Sequence, residues 1–338
     1  MEKADPFQEL TSPDGLKAFF LVGPTAVGKT AVSQWIAERH SCDILSADAM
    51  MVYRGMDIGT AKPDQALRDK VRYWGLDLAA PSDAFSVGQY HLHALSALRE
   101  SLFAGRQIIV TGGTGLYIKS LTHGLYRLSA GNPDIRKKAD ELLQRSGIGA
   151  LQEWVKTQAP EQYESIADKN NPRRLVRVIE TAHCSAGNKN DPWRLLGKGP
   201  MIAGLMMPKN LLCERIKKRV EEMYSEGLLD EAERLLRQGF SAGDGPACSP
   251  GGGETSPTAG KAIGYAEAIL VLRGKFTIDD AMEVTVKRTC QLAKRQMTWF
   301  RNQANVEWVT IDSGMTTEQI ARMVLDCWER NGATPIAP

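Results

Sequence analysis

Short unbroken apolar runs alternate along this chain with helically spaced apolar residues. Ala18-Phe19-Phe20-Leu21-Val22 is such a run, closed by Gly23, and from Lys29 to His40 the residues Val32, Trp35 and Ile36 share one helical face. The pattern predicts strand, glycine-containing turn, helix. Asp43-Ile44-Leu45-Ser46 and Gln107-Ile108-Ile109-Val110 read as further strands, the latter followed by Thr111-Gly112-Gly113-Thr114-Gly115 and another helical stretch. Strands alternating with helices imply a parallel sheet, with ligands bound at the carboxyl ends of its strands.

Between Leu128 and Lys198 the strand signal gives way to charged helical segments, Pro133 to Ser146 and Asn171 to Ala182. Met201 to Met207 is again apolar enough for a buried strand, Leu211 to Gln238 reads as one long amphipathic helix, and Val306 to Ile311 predicts a late strand before a closing helix. The expected organisation is an α/β core in two parts, 1–127 and 199–338, interrupted by an all-helical insertion at 128–198. The stretch 241–260 is dominated by Gly, Pro and Ser and predicts a disordered loop.

Composition narrows the setting. With 338 residues, 43% of them hydrophobic, the chain has enough apolar side chains for a large core. The 42 Lys+Arg nearly balance the 40 Asp+Glu, so a polyanion must be met by a local patch and not by the whole surface. Six cysteines without a Cys-x-x-Cys pair, and five histidines of which only His91 and His93 are close, argue against a structural zinc site. Met1 to Leu16 lacks the apolar run of a signal peptide and no stretch approaches a membrane span, so a cytoplasmic location with reduced thiols and no membrane association is expected.

The strongest chemical signal is Gly23-Pro24-Thr25-Ala26-Val27-Gly28-Lys29-Thr30, which fits G-x-x-x-x-G-K-[ST] between a predicted strand and a predicted helix. Such a loop lets backbone N–H groups approach a phosphate chain at a helix N-terminus. Lys29 supplies a point charge and Thr30 a hydroxyl for a phosphate-bound Mg²⁺. The core is therefore expected to be P-loop NTPase-like. Asp48 follows the second strand and should stand at the same sheet edge, placed to take a proton or hold the metal. Shortly after it comes Val52-Tyr53-Arg54-Gly55-Met56-Asp57-Ile58-Gly59-Thr60-Ala61-Lys62-Pro63, in which Tyr53, Arg54, Asp57 and Lys62 are unusual residue types for a core.

These strings together resemble the tRNA dimethylallyltransferases. The resemblance extends through Gly112-Gly113-Thr114-Gly115-Leu116-Tyr117, Pro172-Arg173-Arg174-Leu175-Val176-Arg177, Ala262-Ile263-Gly264-Tyr265 and Gln291-Leu292-Ala293-Lys294-Arg295-Gln296, in the family's order and over nearly the whole chain. It implies dimethylallyl diphosphate as donor, with Lys29, Thr30, Thr25 and Mg²⁺ stabilising the departing diphosphate. It implies Asp48 as the base that accepts a proton from the exocyclic amine of the adenine just 3′ of the anticodon, drawn out of its stack. It also implies tRNA contacts from Asp48, Ala49, Met50, Met51, Thr114 and Arg136, and from a basic helix at Arg173, Arg174, Leu175, Val176 and Arg177. No partner protein is expected, and the chain is read as a monomer. Independently of the family, Lys287, Lys294 and Arg301 recur every seven residues beside Arg288 and Arg295, so one helix face is cationic.

The chain departs from the family pattern twice. Asp48-Ala49-Met50-Met51 stands where the family usually reads Asp-Ser-x-Gln, and Cys290 replaces an arginine expected at the donor phosphates. Arg288 lies two residues away and is expected to face away from the gap. Two other readings therefore stay open: an RNA-binding descendant with weak or no chemistry, and a small-molecule P-loop kinase, which would also place an Asp after its second strand.

Overall fold

The computed structural model describes residues 15–125, 133–166, 168–182, 196–240 and 258–337. The strand, turn and helix at the start are β1 (Lys17–Val22), the P-loop and α1 (Lys29–His40), followed by β2 (Asp43–Ser46). Next come α2 (Gln65–Lys70), β3 (Tyr73–Trp74), α3 (Val87–Phe103), β4 (Ile108–Gly112) and α4 (Gly115–His123). The strands line up as β3-β2-β4-β1, and the sheet continues through β5 (Met201–Met206) to β6 (Asn305–Thr310), all in parallel. The two-residue β7 (Thr334–Pro335) pairs antiparallel with the start of β1. β3 and β7 are too short to leave a periodic signature. The α/β parallel sheet flanked by helices is as expected.

Alternation along β1 divides the core. Phe19 and Leu21 point to one face, where they pack with Val32 and Ile36 of α1 and with Ile216 and Trp328, whereas Phe20 and Val22 face Leu98, Ile118 and Phe300 on the other. The indole of Trp328, on α12 (Thr317–Asn331), lies 5.1 Å from the Phe19 ring and donates to the Phe20 carbonyl at 3.0 Å. Truncating a fully buried indole leaves a cavity and an unpaired carbonyl, so Trp328→Ala is expected to cost about 3–5 kcal/mol of stability in urea unfolding.

The single helix predicted from Leu211 to Gln238 is instead two, α8 (Lys209–Ser225) and α9 (Leu228–Arg237), separated at Gly227 with φ 101°. The break has a packing cause. Leu212, Ile216 and Val220 of α8 belong to one face of the sheet, whereas Leu228, Ala232 and Leu235 of α9 belong to the other. A continuous helix could not bury both sets, and Gly227 takes the left-handed conformation that redirects the chain at little cost. Beyond α9 the segment 241–257, most of the loop predicted as disordered, lies outside the described residues. Its predicted end is a correction: Thr258–Lys261 forms a 3-10 turn in which Ala259 is fully buried. Then follow α10 (Tyr265–Leu272) and the long α11 (Ile278–Gln303).

In the predicted insertion, α5 (Pro133–Gln158, kinked at Gly147), α6 (Pro160–Glu164) and α7 (Pro172–Ala182) enclose a separate small core of Ala139, Leu151, Val155, Leu175, Val176 and Ile179. No described helix is long and apolar enough to cross a membrane.

Candidate active site

Parallel pairing brings three strand ends to one edge. Val22 of β1 lies beside Gly112 of β4, and Ser46 of β2 beside Thr111, so the P-loop, the Ala47–Met51 turn and the Gly113–Gly115 turn emerge side by side. They are joined directly. The Ala49 N–H donates to the Thr114 hydroxyl at 3.0 Å and the Thr114 N–H to the Ala47 carbonyl at 3.1 Å. Gln296 of α11 accepts from the Thr25 N–H at 2.8 Å and donates to the Gly113 carbonyl at 3.1 Å, tying the P-loop to the third turn. Around these loops opens a cleft of about 1290 Å³ whose walls include Gly28, Lys29, Thr30, Asp48, Met51 and Arg219.

The P-loop has the shape its sequence requires. Gly28 caps α1 with φ 104°, a conformation costly for any residue with a side chain, and this lets the loop turn into the helix. The Lys29 ammonium folds back onto the Gly23 and Pro24 carbonyls at 2.9 and 2.8 Å. Burial lowers its pKa to about 8, an effect that the Asp48 charge opposes and Arg219 reinforces. Ala26 lines the cleft, whereas the Val27 side chain is fully buried in the core and only its backbone belongs to the loop.

Arg219, on α8, has no sequence signature that marks it for this site. Its guanidinium donates to the Thr25 hydroxyl and to the Thr60 carbonyl, both at 3.1 Å, while its buried Nε has no hydrogen-bond partner. Burial works against its charge, and Asp48 and Glu222 work in its favour. On the polar face of an amphipathic helix nothing distinguishes Arg219 from Arg215, Lys217 or Lys218. Two cations therefore face one carboxylate across the cleft. Asp48 is half-buried and accepts from the Met50 N–H at 2.9 Å; the stacked pair Tyr90 and Tyr117, with rings 3.8 Å apart, has its phenol pKa raised by burial, with a smaller contribution from the Asp48 charge.

At the two departures, the Met51 sulfur accepts from the Ser46 hydroxyl at 3.5 Å, and the Cys290 thiol lies 3.4 Å from that of Cys213 on α8. Burial pushes the Cys290 thiol up to about 11. Arg288 and Cys290 turn to different partners, as helical rotation predicts: Cys290 turns to Cys213, whereas Arg288 lines the cleft with its guanidinium paired to buried Glu267. That charge is already neutralised. Lys287, Lys294, Arg295 and Arg301 are exposed, with Arg295 on the cleft wall.

The predicted RNA-contacting residues divide. Asp48, Met50 and Met51 line the cleft, and Thr114 and Ala49 brace it from behind. Arg173 and Arg174 are exposed on α7, whereas Arg136 and Arg177 both pair with Glu180, at 2.7 and 2.9 Å. Leu175 and Val176 correct the expectation for their side chains: they are 0% and 3% exposed in the helical module's core, because helical periodicity turns them away from Arg173 and Arg174.

Comparison with known proteins converges on one group. The IPP transferase family matches residues 51–303. A tRNA dimethylallyltransferase of Acetivibrio thermocellus is 35% identical over 312 residues, spanning 89% of this chain and 94% of its own length. The crystal structure of a full-length tRNA isopentenylpyrophosphate transferase from Bacillus halodurans matches with a TM-score of 0.63 at 32% identity, covering 93% of this chain and 97% of the other. A eukaryotic dimethylallyltransferase described as acting on tRNA shares the fold, with a TM-score of 0.70 at 20% identity over 94% of this chain and 76% of its own. With its P-loop, its Asp48 turn and this similarity along nearly its full length, the chain belongs to the IPP transferase family.

Proposed function

We propose that this protein transfers the dimethylallyl group of dimethylallyl diphosphate to the exocyclic N6 of the adenine 3′ of the anticodon in tRNA, acting as a monomer in the cytoplasm. The observation that carries the reading is the placement of Lys29 and Arg219 opposite Asp48 in one cleft. The diphosphate lies along the P-loop amides with its charge met by Lys29 and Arg219, and the unpartnered Arg219 Nε supplies a further donor. The adenine nitrogen attacks the first carbon of the prenyl chain and the bond from that carbon to the diphosphate oxygen breaks. Asp48 accepts the proton lost from nitrogen, and diphosphate leaves.

Among the described residues no three His, Cys, Asp or Glu gather into a metal cage. The Thr30 hydroxyl, at the start of α1 beside the P-loop, lines the cleft and is an oxygen donor suited to a hard cation held mostly by substrate phosphates. Mg²⁺ would rest on Thr30, leaving Asp48 free to take the proton, and when bound it would offset negative charge on the diphosphate.

Two expected outcomes bear on this reading. The first concerns pH. Lys29 is protonated below about 8, so kcat/KM for the donor should hold up to that pH and fall as the ammonium deprotonates above it. A pH profile of donor capture checks this; a flat profile from about pH 7 to about pH 10 contradicts a role for the Lys29 charge. The second concerns rate. With Cys290 turned to Cys213 and Met51 to Ser46, the chain should transfer slowly, and Cys290→Arg is expected to raise kcat/KM by about tenfold, since a missing charge contact at such a site is worth that or more. Transfer of radiolabel from the prenyl donor to tRNA measures both. A protein that binds tRNA with salt sensitivity, yet incorporates no label even as Cys290→Arg and Met51→Gln, would instead be a non-catalytic RNA binder.

A further inference from the structure

The second half of the string Val52–Pro63, from Asp57 onward, lies along the cleft wall, yet its Lys62 ammonium and its backbone N–H groups at 57–59 are held by other groups of the protein. The Lys62 ammonium is enclosed by Asp57 at 2.8 Å, Asp77 at 2.7 Å and the Tyr53 carbonyl, which fixes one end of the string. The other anchor is Glu231 of α9, only 2% exposed. Its carboxylate accepts from three consecutive backbone N–H groups, those of Asp57 at 3.0 Å, Ile58 at 3.0 Å and Gly59 at 3.2 Å. It also accepts from the Tyr265 hydroxyl at 2.5 Å. Successive N–H groups converging on one carboxylate form an anion nest, and here the anion belongs to the protein itself. The Tyr265 ring lies flush against the turn: a Cβ added at Gly59 would sit 2.4 Å from it.

The consequence lies at the next residue. With the N–H groups of 57–59 drawn toward Glu231, the Thr60 carbonyl is left to accept from Arg219, whose other terminal nitrogen holds Thr25 of the P-loop. These are the two hydrogen bonds that aim a buried guanidinium whose Nε has no partner. We propose that Glu231, clamped by Tyr265, is a positioning residue that aims Arg219 at the donor diphosphate by fixing the Asp57–Thr60 turn. The inference rests on the diphosphate site proposed above. The polar string then serves as a strut between α9 and the phosphate-binding arginine.

A double-mutant cycle read by calorimetric titration with inorganic diphosphate and Mg²⁺ tests it. Glu231→Gln places an amide donor against the N–H nest and should weaken diphosphate binding by about tenfold, the scale of one charge-assisted hydrogen bond. Tyr265→Phe, which removes one hydroxyl, should weaken it by about threefold on the same scale. In an Arg219→Gln background neither change should weaken binding further, because the arginine through which they act is gone. tRNA affinity should stay at the wild-type value throughout. If Glu231→Gln does not fold, Tyr265→Phe alone carries the cycle. Equal losses with and without Arg219, or no loss with it, overturn the inference. Failure of the wild-type protein to bind diphosphate at all would overturn the donor site itself, a different result.

Discussion

Replacing Lys29 with methionine is expected to lower kcat/KM for the prenyl donor by about 10²–10³-fold, the usual cost of removing one preorganised charge contact from a developing anion. Methionine keeps most of the length of the lysine stem and removes only the charge, so the change isolates electrostatics from packing. The Gly23 and Pro24 carbonyls, both on buried residues, lose their shared donor, which adds a stability cost of about 1–3 kcal/mol. That cost is read separately in urea, and the loss in rate beyond it should appear in donor capture and departure of diphosphate. Lys29→Arg should recover little, because a planar guanidinium cannot occupy the site of a compact ammonium held by two adjacent carbonyls. Steady-state kinetics with saturating tRNA and varied donor decide the matter. A variant within about threefold of wild type, well inside the range for lost uniform binding, would remove Lys29 from the mechanism.

Asp48→Asn should act on the other half of the reaction. The amide oxygen can still accept from the Met50 N–H, so the turn keeps its shape while the group that receives the proton is lost. Removal of a general base typically costs about 10²–10⁴-fold, and the loss should fall on kcat. A second signature separates this from misfolding. Asp48 raises the pKa of Lys29, so without it the ammonium deprotonates more readily and the alkaline limb of the donor profile should move below its wild-type position near 8. A fall in kcat with the limb unmoved would mean that Asp48 and Lys29 do not share the cleft electrostatically.

Much of this arrangement is legible in the sequence, and the reasons are local. The run Ala18–Val22, the glycine turn and the spacing of Val32, Trp35 and Ile36 specify β1, the P-loop and α1 from nearest neighbours alone, and α1 begins and ends where predicted. Asp48 can be placed at the P-loop edge because, in a parallel sheet, the residues that follow successive strands emerge at one edge. What cannot be read depends on tertiary packing. Arg219 looks like any cation on a solvated helix face until Thr25 and Thr60 are seen to receive it. The break at Gly227 follows from two faces of one sheet competing for a single helical stripe, which periodicity within one segment cannot express. Lys62 and Glu231 are charged residues that the fold encloses, and a sequence offers no cue to partners 15 and 174 positions away. Leu175 and Val176 differ for another reason: a motif taken as one contact surface spans a full helical turn, and that turn separates its arginines from its apolar residues.

The proposal that two cations and one carboxylate in this cleft move a prenyl group onto a tRNA adenine is tested most directly by mass analysis of the nucleosides released from tRNA after incubation with dimethylallyl diphosphate and Mg²⁺. The prediction is an adenosine carrying one dimethylallyl group in place of an amine hydrogen, formed by the natural chain and faster by Cys290→Arg, and absent with Asp48→Asn at matched times. Unmodified adenosine from every variant, with the same protein shown to bind diphosphate and tRNA, would contradict it.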